Sequence, residues 1–129
     1  MKIHHIGIIV ENIEKNINIY KRLGYTQISE IIFDDIQHVK MVFIKSEDKT
    51  QTIELIKSFG DISSIHNFKT GYNHICYDVS DIQNFINYFK TLKIGKIFTK
   101  PTIAPAISDR QVVFACFNNG TFVEFIISR

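Results

Sequence analysis

Along residues 2–10 apolar and polar positions alternate, and the apolar ones are mostly β-branched, the period-2 pattern of a half-buried strand. The period then changes. Ile13, Ile17, Tyr20 and Leu23 fall on one helical face, and Gly24 stands where a helix would stop. Three strands are predicted to follow, near 25–33, 38–45 and 50–57. The pattern then restarts. A strand leads to Ile82, Phe85, Ile86, Phe89 and Leu92, a second helical stripe, with Ser80 and Gln83 forming a capping-box pattern at its start. Strands near 95–100, 111–117 and 121–128 close the chain, with Asn119 and Gly120 marking the last hairpin.

The two halves repeat in sequence as well as in pattern. A constant offset of 69 lays His5 over His74, Ile6 over Ile75, Val10 over Val79, Ile13 over Ile82, Ile17 over Ile86, Asn18 over Asn87, Lys21 over Lys90 and Leu23 over Leu92. Thr52–Ile56 lies over Phe122–Ile126 at an offset of 70. The expected fold is α+β: two tandem βαβββ modules, residues 1–57 and 72–129, joined by a connecting segment 58–71 with a short helical turn around Ile62–Phe68. Together they make a single domain of 129 residues.

Alternation also sorts the polar residues. Ile6, Ile8 and Val10 suit the helix side of the first strand, leaving His5, Gly7 and Ile9 on the other; Ile75, Tyr77 and Val79 likewise oppose His74, Cys76 and Asp78. In the last strand of each half, Glu54 and Glu124 interrupt apolar runs on the side opposite Ile53 and Leu55, or Val123 and Phe125. A carboxylate buried there needs a partner. A lone strand histidine is usually structural and a lone strand glutamate usually solvated. Here both recur at matching places, on the face that would line a shared cavity. Two imidazoles and two carboxylates suit one six-coordinate divalent ion (Zn, Ni, Co, Mn or Fe) with two positions open.

Composition narrows the partners. A net charge of +2 with scattered lysines does not suit nucleic acid, and the expectation is a soluble cytoplasmic protein with no membrane partner. The start of the chain, MKIHHIGIIV, is too short an apolar run for a signal peptide or span. Cys76 and Cys116, in no CxxC arrangement, suit a reduced compartment.

HHIGIIV at 4–10, IELIKSFGDISSIHNF at 53–68, YNHICYDVSDI at 72–82 and the closing RQVVF and VEFI resemble the vicinal oxygen chelate superfamily over essentially the whole chain. Within it the chain is most similar to methylmalonyl-CoA epimerases and to glyoxalase I, a lactoylglutathione lyase. The resemblance implies modules forming an open barrel-like cup, a homodimer, and metal ligands at His5, Glu54, His74 and Glu124. That ligand set is similar to bacterial glyoxalase I, while the segment 53–68 is similar to the epimerases. The chain departs from the epimerases at 116–120, where they carry a His-Pro-Lys stretch.

The expected activity is proton transfer α to a carbonyl through a metal-stabilised enediolate, epimerase-like. The alternatives are a glyoxalase I-type lyase and a non-catalytic antibiotic-binding protein of the same fold. An iron dioxygenase and a thiol transferase would each leave one of the four ligands surplus. The substrate is then an acyl-CoA, a hemithioacetal or a related carbonyl compound. Glu124 or Glu54 doubles as ligand and base. Asp35 reads as a solvated turn acid. Residues 99–110, stiffened by two prolines, read as a rim over the site, with Arg110 and Lys100 as candidates to hold a carboxylate or phosphate. Cys76 reads as a lining residue, and His4, His38 and His66 as structural or surface residues.

Overall fold

The structure, a computed structural model, describes residues 1–59 and 68–128. The helical turn expected around Ile62–Phe68, up to residue 67, and His66 lie outside the described residues. Two compact units are present, one of residues 5–73 and one of residues 1–4 with 74–129.

In the first half the order is β1 (Ile3–Ile9), α1 (Ile13–Arg22), β2 (Tyr25–Gln27), β3 (Ile32–Asp34), β4 (Val39–Ser46) and β5 (Thr52–Ser58). The second half repeats it as β6 (Gly71–Val79), α2 (Ile82–Leu92), β7 (Gly95–Ile97), β8 (Thr102–Ala104), a 3₁₀ turn at Pro105–Ile107, β9 (Arg110–Phe117) and β10 (Phe122–Ile127). This is the expected α+β succession of two βαβββ modules. In the first, β4 and β5 are antiparallel neighbours and β5 runs parallel to β1. In the second, β9 and β10 are antiparallel and β10 runs parallel to β6.

Each helix covers one face of its own module. Ile13, Ile17 and Tyr20 pack with Val10, Val42, Ile44, Ile53 and Leu55. Ile82, Phe85, Ile86 and Phe89 pack with Val79, Val113, Ala115, Val123 and Phe125. The alternation read from the sequence therefore holds. Both stripes stop one residue early: Leu23 and Leu92 are exposed, because each stands where its helix ends.

The helix starts share a rule. Asn12 Oδ1 accepts the Lys15 N–H at 2.8 Å, and Asp81 Oδ1 accepts the Asn84 N–H at 2.8 Å. The second cap is therefore Asp81, not the expected Ser80. Its extended backbone places its carboxylate over the first turn, and the Gln83 amide reaches forward to Asn87 at 3.5 Å instead of back to a capping serine. After α1 the left-handed position falls to Gly24 (φ +90), as expected, but after α2 Lys93 takes it (φ 55), where a Cβ is strained.

The strand expected over 25–33 is broken in two, and the one expected over 95–100 ends at Ile97. Ile28 N–H donates to the Phe43 carbonyl at 3.0 Å, and Ser29 Oγ then accepts the Phe43 N–H at 2.9 Å. The second module does the same: Phe98 N–H donates to Phe114 O at 3.0 Å, and Thr99 Oγ1 accepts the Phe114 N–H at 2.8 Å. A hydroxyl stands in for a ladder carbonyl, so the backbone leaves the sheet without orphaning the neighbouring N–H, then rejoins as β3 or β8. The segment expected as a rim is accordingly part strand. Its Ala104 and Ile107 pack over Cys76, Val112 and Ile126 on the face away from α2. Gly95 is required at the start of β7, since a Cβ there would stand 2.3 Å from the Cys116 carbonyl oxygen.

Two outcomes are expected in urea denaturation. Thr99→Val keeps the side-chain shape but removes the acceptor for Phe114 N–H, and lowers stability by about 1–2 kcal/mol. Lys93→Gly relieves the left-handed strain and raises stability by about 0.5–1 kcal/mol.

Candidate active site

In both modules the histidine and the glutamate sit on the strand face that the helix leaves open. Parallel pairing brings them together. Glu54 on β5 is in register with Gly7, two residues past His5; Glu124 on β10 is in register with Cys76, two residues past His74. His5 Nε2 lies 3.6 Å from Glu54 Oε1, and His74 Nε2 lies 2.9 Å from Glu124 Oε2. All four residues are buried, none more than 5% exposed.

Aromatic rings hold the imidazoles edge-on. Phe43, in register with Glu54, meets His5 at a centroid distance of 5.3 Å and 74°. Phe114, in register with Glu124, meets His74 at 6.2 Å and 89°. The second module adds more. Phe122 also meets His74 edge-on at 5.8 Å, stacks on Phe114 at 5.3 Å and 6°, and stacks with Phe98 at 5.7 Å. The first module has Thr52 and Ile28 at the corresponding places. Sequence reasoning missed this wall of rings, because it joins three strands and only their register aligns it.

Two ligands of one divalent ion, each about 2.1 Å from it and 90–109° apart, stand roughly 3.0–3.4 Å from one another. The two His–Glu spacings of 2.9 and 3.6 Å bracket that range. Imidazole nitrogen and carboxylate oxygen are also the donor types that first-row divalent metals take. Each pair is therefore fit to serve as half of a metal site.

The other candidates separate clearly. Arg110 opens β9, with its guanidinium Nη2 3.9 Å from Asp78 Oδ1, both side chains mostly buried. Lys100 is exposed on the bend before β8, and its carbonyl accepts the Thr102 hydroxyl at 3.0 Å. Asp35 is exposed in the turn after β3, whereas its neighbour Asp34 is buried and accepts the Ile36 and Gln37 N–H groups at 2.9 Å. Cys76 is fully buried on the His74 face within an apolar cluster, and no disulfide joins it to Cys116. His38 has a left-handed backbone and packs edge-on to Phe59 at 5.7 Å. Asp78 as the partner of Arg110 was half legible: alternation put it on the His74 face, but only the register of β9 brings Arg110 to it.

Asp48, in the β4–β5 hairpin, has its carboxyl held below its ordinary range. The Ser46 hydroxyl donates to it first, then the Thr50 N–H and hydroxyl. Among the described residues no helix is long and apolar enough to cross a membrane.

Residues 4–114 match the family model of the glyoxalase/bleomycin resistance protein/dioxygenase superfamily. A mitochondrial methylmalonyl-CoA epimerase of Dictyostelium discoideum is 32% identical over 132 residues, covering 95% of this chain and 76% of that protein. Among solved structures, a hypothetical protein of Bacillus halodurans superposes with a TM-score of 0.84 at 24% identity, over 99% of this chain and 94% of that one. A Streptomyces coelicolor methylmalonyl-CoA epimerase variant, in complex with 2-nitronate-propionyl-CoA, superposes with a TM-score of 0.83 at 15% identity, over 99% of this chain and 94% of that one. At those identities the structures establish a shared fold.

The tighter His–Glu pair gives a stability test in metal-free protein. His74→Leu removes the 2.9 Å partner of a buried carboxylate and costs about 2–3 kcal/mol, while Glu124→Gln, which retains an acceptor, costs about 1 kcal/mol or less. Denaturant midpoints of the two variants against the parent protein check the order.

Proposed function

Because the chain belongs to the glyoxalase/bleomycin resistance protein/dioxygenase superfamily, we propose that it is a divalent-metal-dependent enzyme. Its reaction is proton transfer α to a carbonyl, of the epimerase type, and its ligand set is His5, Glu54, His74 and Glu124. The observation that carries this reading is the buried His–carboxylate pair at matching places in two modules, each spaced as two ligands of one ion. The 32% identical relative, an epimerase acting on a 2-carboxyacyl thioester, favours epimerisation over the other chemistries of the superfamily.

A bound divalent ion, Ni, Co, Zn or Mn, would supply Lewis-acid stabilisation of the negative charge that develops on the carbonyl oxygen. The protein's own groups do the rest. Glu124 or Glu54 takes the proton from the α-carbon and gives it back. Delivery of a proton to the opposite face of the same carbon, by an acid on that face, is epimerisation; return to the adjacent carbon is the glyoxalase-type isomerisation. The Phe114–Phe122–Phe98 wall keeps the His74 imidazole in one orientation and shields it from water. Arg110, beside Asp78, and Lys100, exposed before β8, are the substrate-binding cations of this reading. The protein acts as one domain of 129 residues and as a homodimer, in a reducing compartment such as the cytoplasm that keeps Cys76 and Cys116 reduced.

Metal content of protein purified without chelators tests the site. About one transition metal per chain is expected, and its loss is expected in a Glu54→Gln, Glu124→Gln double variant. α-Proton exchange in deuterated water with a methylmalonyl-type thioester should then fall by about 10²–10⁴ in Glu124→Gln or Glu54→Gln, whichever is the base. Exchange seen only with a hemithioacetal would move the assignment to the glyoxalase type. No metal after loading with Ni, Co, Zn or Mn would sink the mechanism and leave a small-molecule-binding protein.

A further inference from the structure

The structure assigns Arg110, held by Asp78, as an anion subsite on the open face of the second module, for a carboxylate or phosphate group of the substrate. It deepens the reading of the His74–Glu124 face as the reaction face and rests on it.

The guanidinium is short of acceptors. Among the described residues its Nε and Nη2 are buried with no hydrogen-bond partner, and Asp78 Oδ1 stands 3.9 Å from Nη2, beyond hydrogen-bond distance. Leaving such donors unmet is costly, the more so for a charged group, and a fold tolerates it where a ligand will meet them. A guanidinium edge offering Nε and Nη2 together matches the two oxygens of a carboxylate or phosphate.

The duplication shows that the fold does not need this charge. The register of Phe43 with Glu54 and of Phe114 with Glu124 aligns β4 with β9 at an offset of 71, so Arg110 corresponds to Val39. At the offset of 69 that aligns the histidines, Asp78 corresponds to Ile9. Val39 and Ile9 are buried apolar residues. One module fills these positions with hydrocarbon and the other with an ion pair, which is what an asymmetric ligand asks of a symmetric scaffold.

The subsite also lies in reach of the chemistry. Along β6 and β10, Cys76 is in register with Glu124 and Asp78 with Ile126, so Asp78 is one inward-facing row beyond the glutamate. That row spacing is roughly 7 Å. Ser108 and Asp109, both left-handed (φ 55 and 56), fix the backbone just before Arg110. Asp78 is a positioning residue. It orients the guanidinium and balances its charge in the free protein, and it competes with an incoming anion, which sets the sign of its own test.

Calorimetric titration of chelator-washed protein with inorganic phosphate and with malonate reads the subsite without turnover. Arg110→Gln should weaken binding of at least one of the two probes at least tenfold, Arg110→Lys should restore only part of it, and Asp78→Asn should tighten it severalfold. Parent-like binding in Arg110→Gln would overturn the assignment while leaving metal content and α-proton exchange as they were, so the proposed reaction would stand on its own. Kinetics then separate the sources of the anion. A raised KM in Arg110→Gln for both the acyl-CoA and the acyl-pantetheine ester points to the acyl carboxylate, and a raised KM for the acyl-CoA ester alone points to a phosphate. An unchanged KM for both rejects the subsite.

Discussion

Parallel pairing between the first and last strand of each module is the constraint on which the rest depends. It cannot be made by a hairpin. The chain must travel through a helix and three further strands before β5 can lie beside β1, or β10 beside β6. Once it does, the register places the glutamate opposite the residue two beyond the histidine, and side chains two apart on a strand share a face. A histidine and a carboxylate separated by about 50 residues thereby become neighbours, twice, by the same geometry. A slip of one residue in either pairing would turn the glutamate into the helix-side core.

The apolar packing enforces that register. In each module the helix-facing residues of the outer strands fill the space under the helix, so every residue on the opposite face is fixed by what its neighbours bury. The aromatic residues beside the histidines extend the same logic to the open face. Phe43 and Phe114 occupy the position across from each glutamate, where they restrict the imidazole without competing for its nitrogens. The hydroxyl devices at Ser29 and Thr99 sit on the same two phenylalanines through their backbone N–H groups. One residue per module thus orients the imidazole with its ring and ends the neighbouring strand with its amide.

Duplication supplies one buried His–Glu pair in each module, and departure from duplication supplies direction. The ring wall of Phe98, Phe114 and Phe122 and the Asp78–Arg110 pair both belong to the second module alone. A substrate with different ends needs such a difference, since two identical half-sites could not tell one end from the other.

The sequence by itself determined the two modules, the helices, the buried faces of the strands and the placing of His5, Glu54, His74 and Glu124 on the open face. It could do so because hydrophobic periodicity and an internal repeat are local signals that survive without any knowledge of pairing. Registers and their consequences belong to the tertiary structure. The break after β2 and β7, the cap at Asp81, the ring wall and the meeting of Arg110 with Asp78 each depend on which backbone group or side chain a second strand or turn brings alongside. Alternation tells which side of a strand a residue faces; only the pairing of strands decides what it faces there.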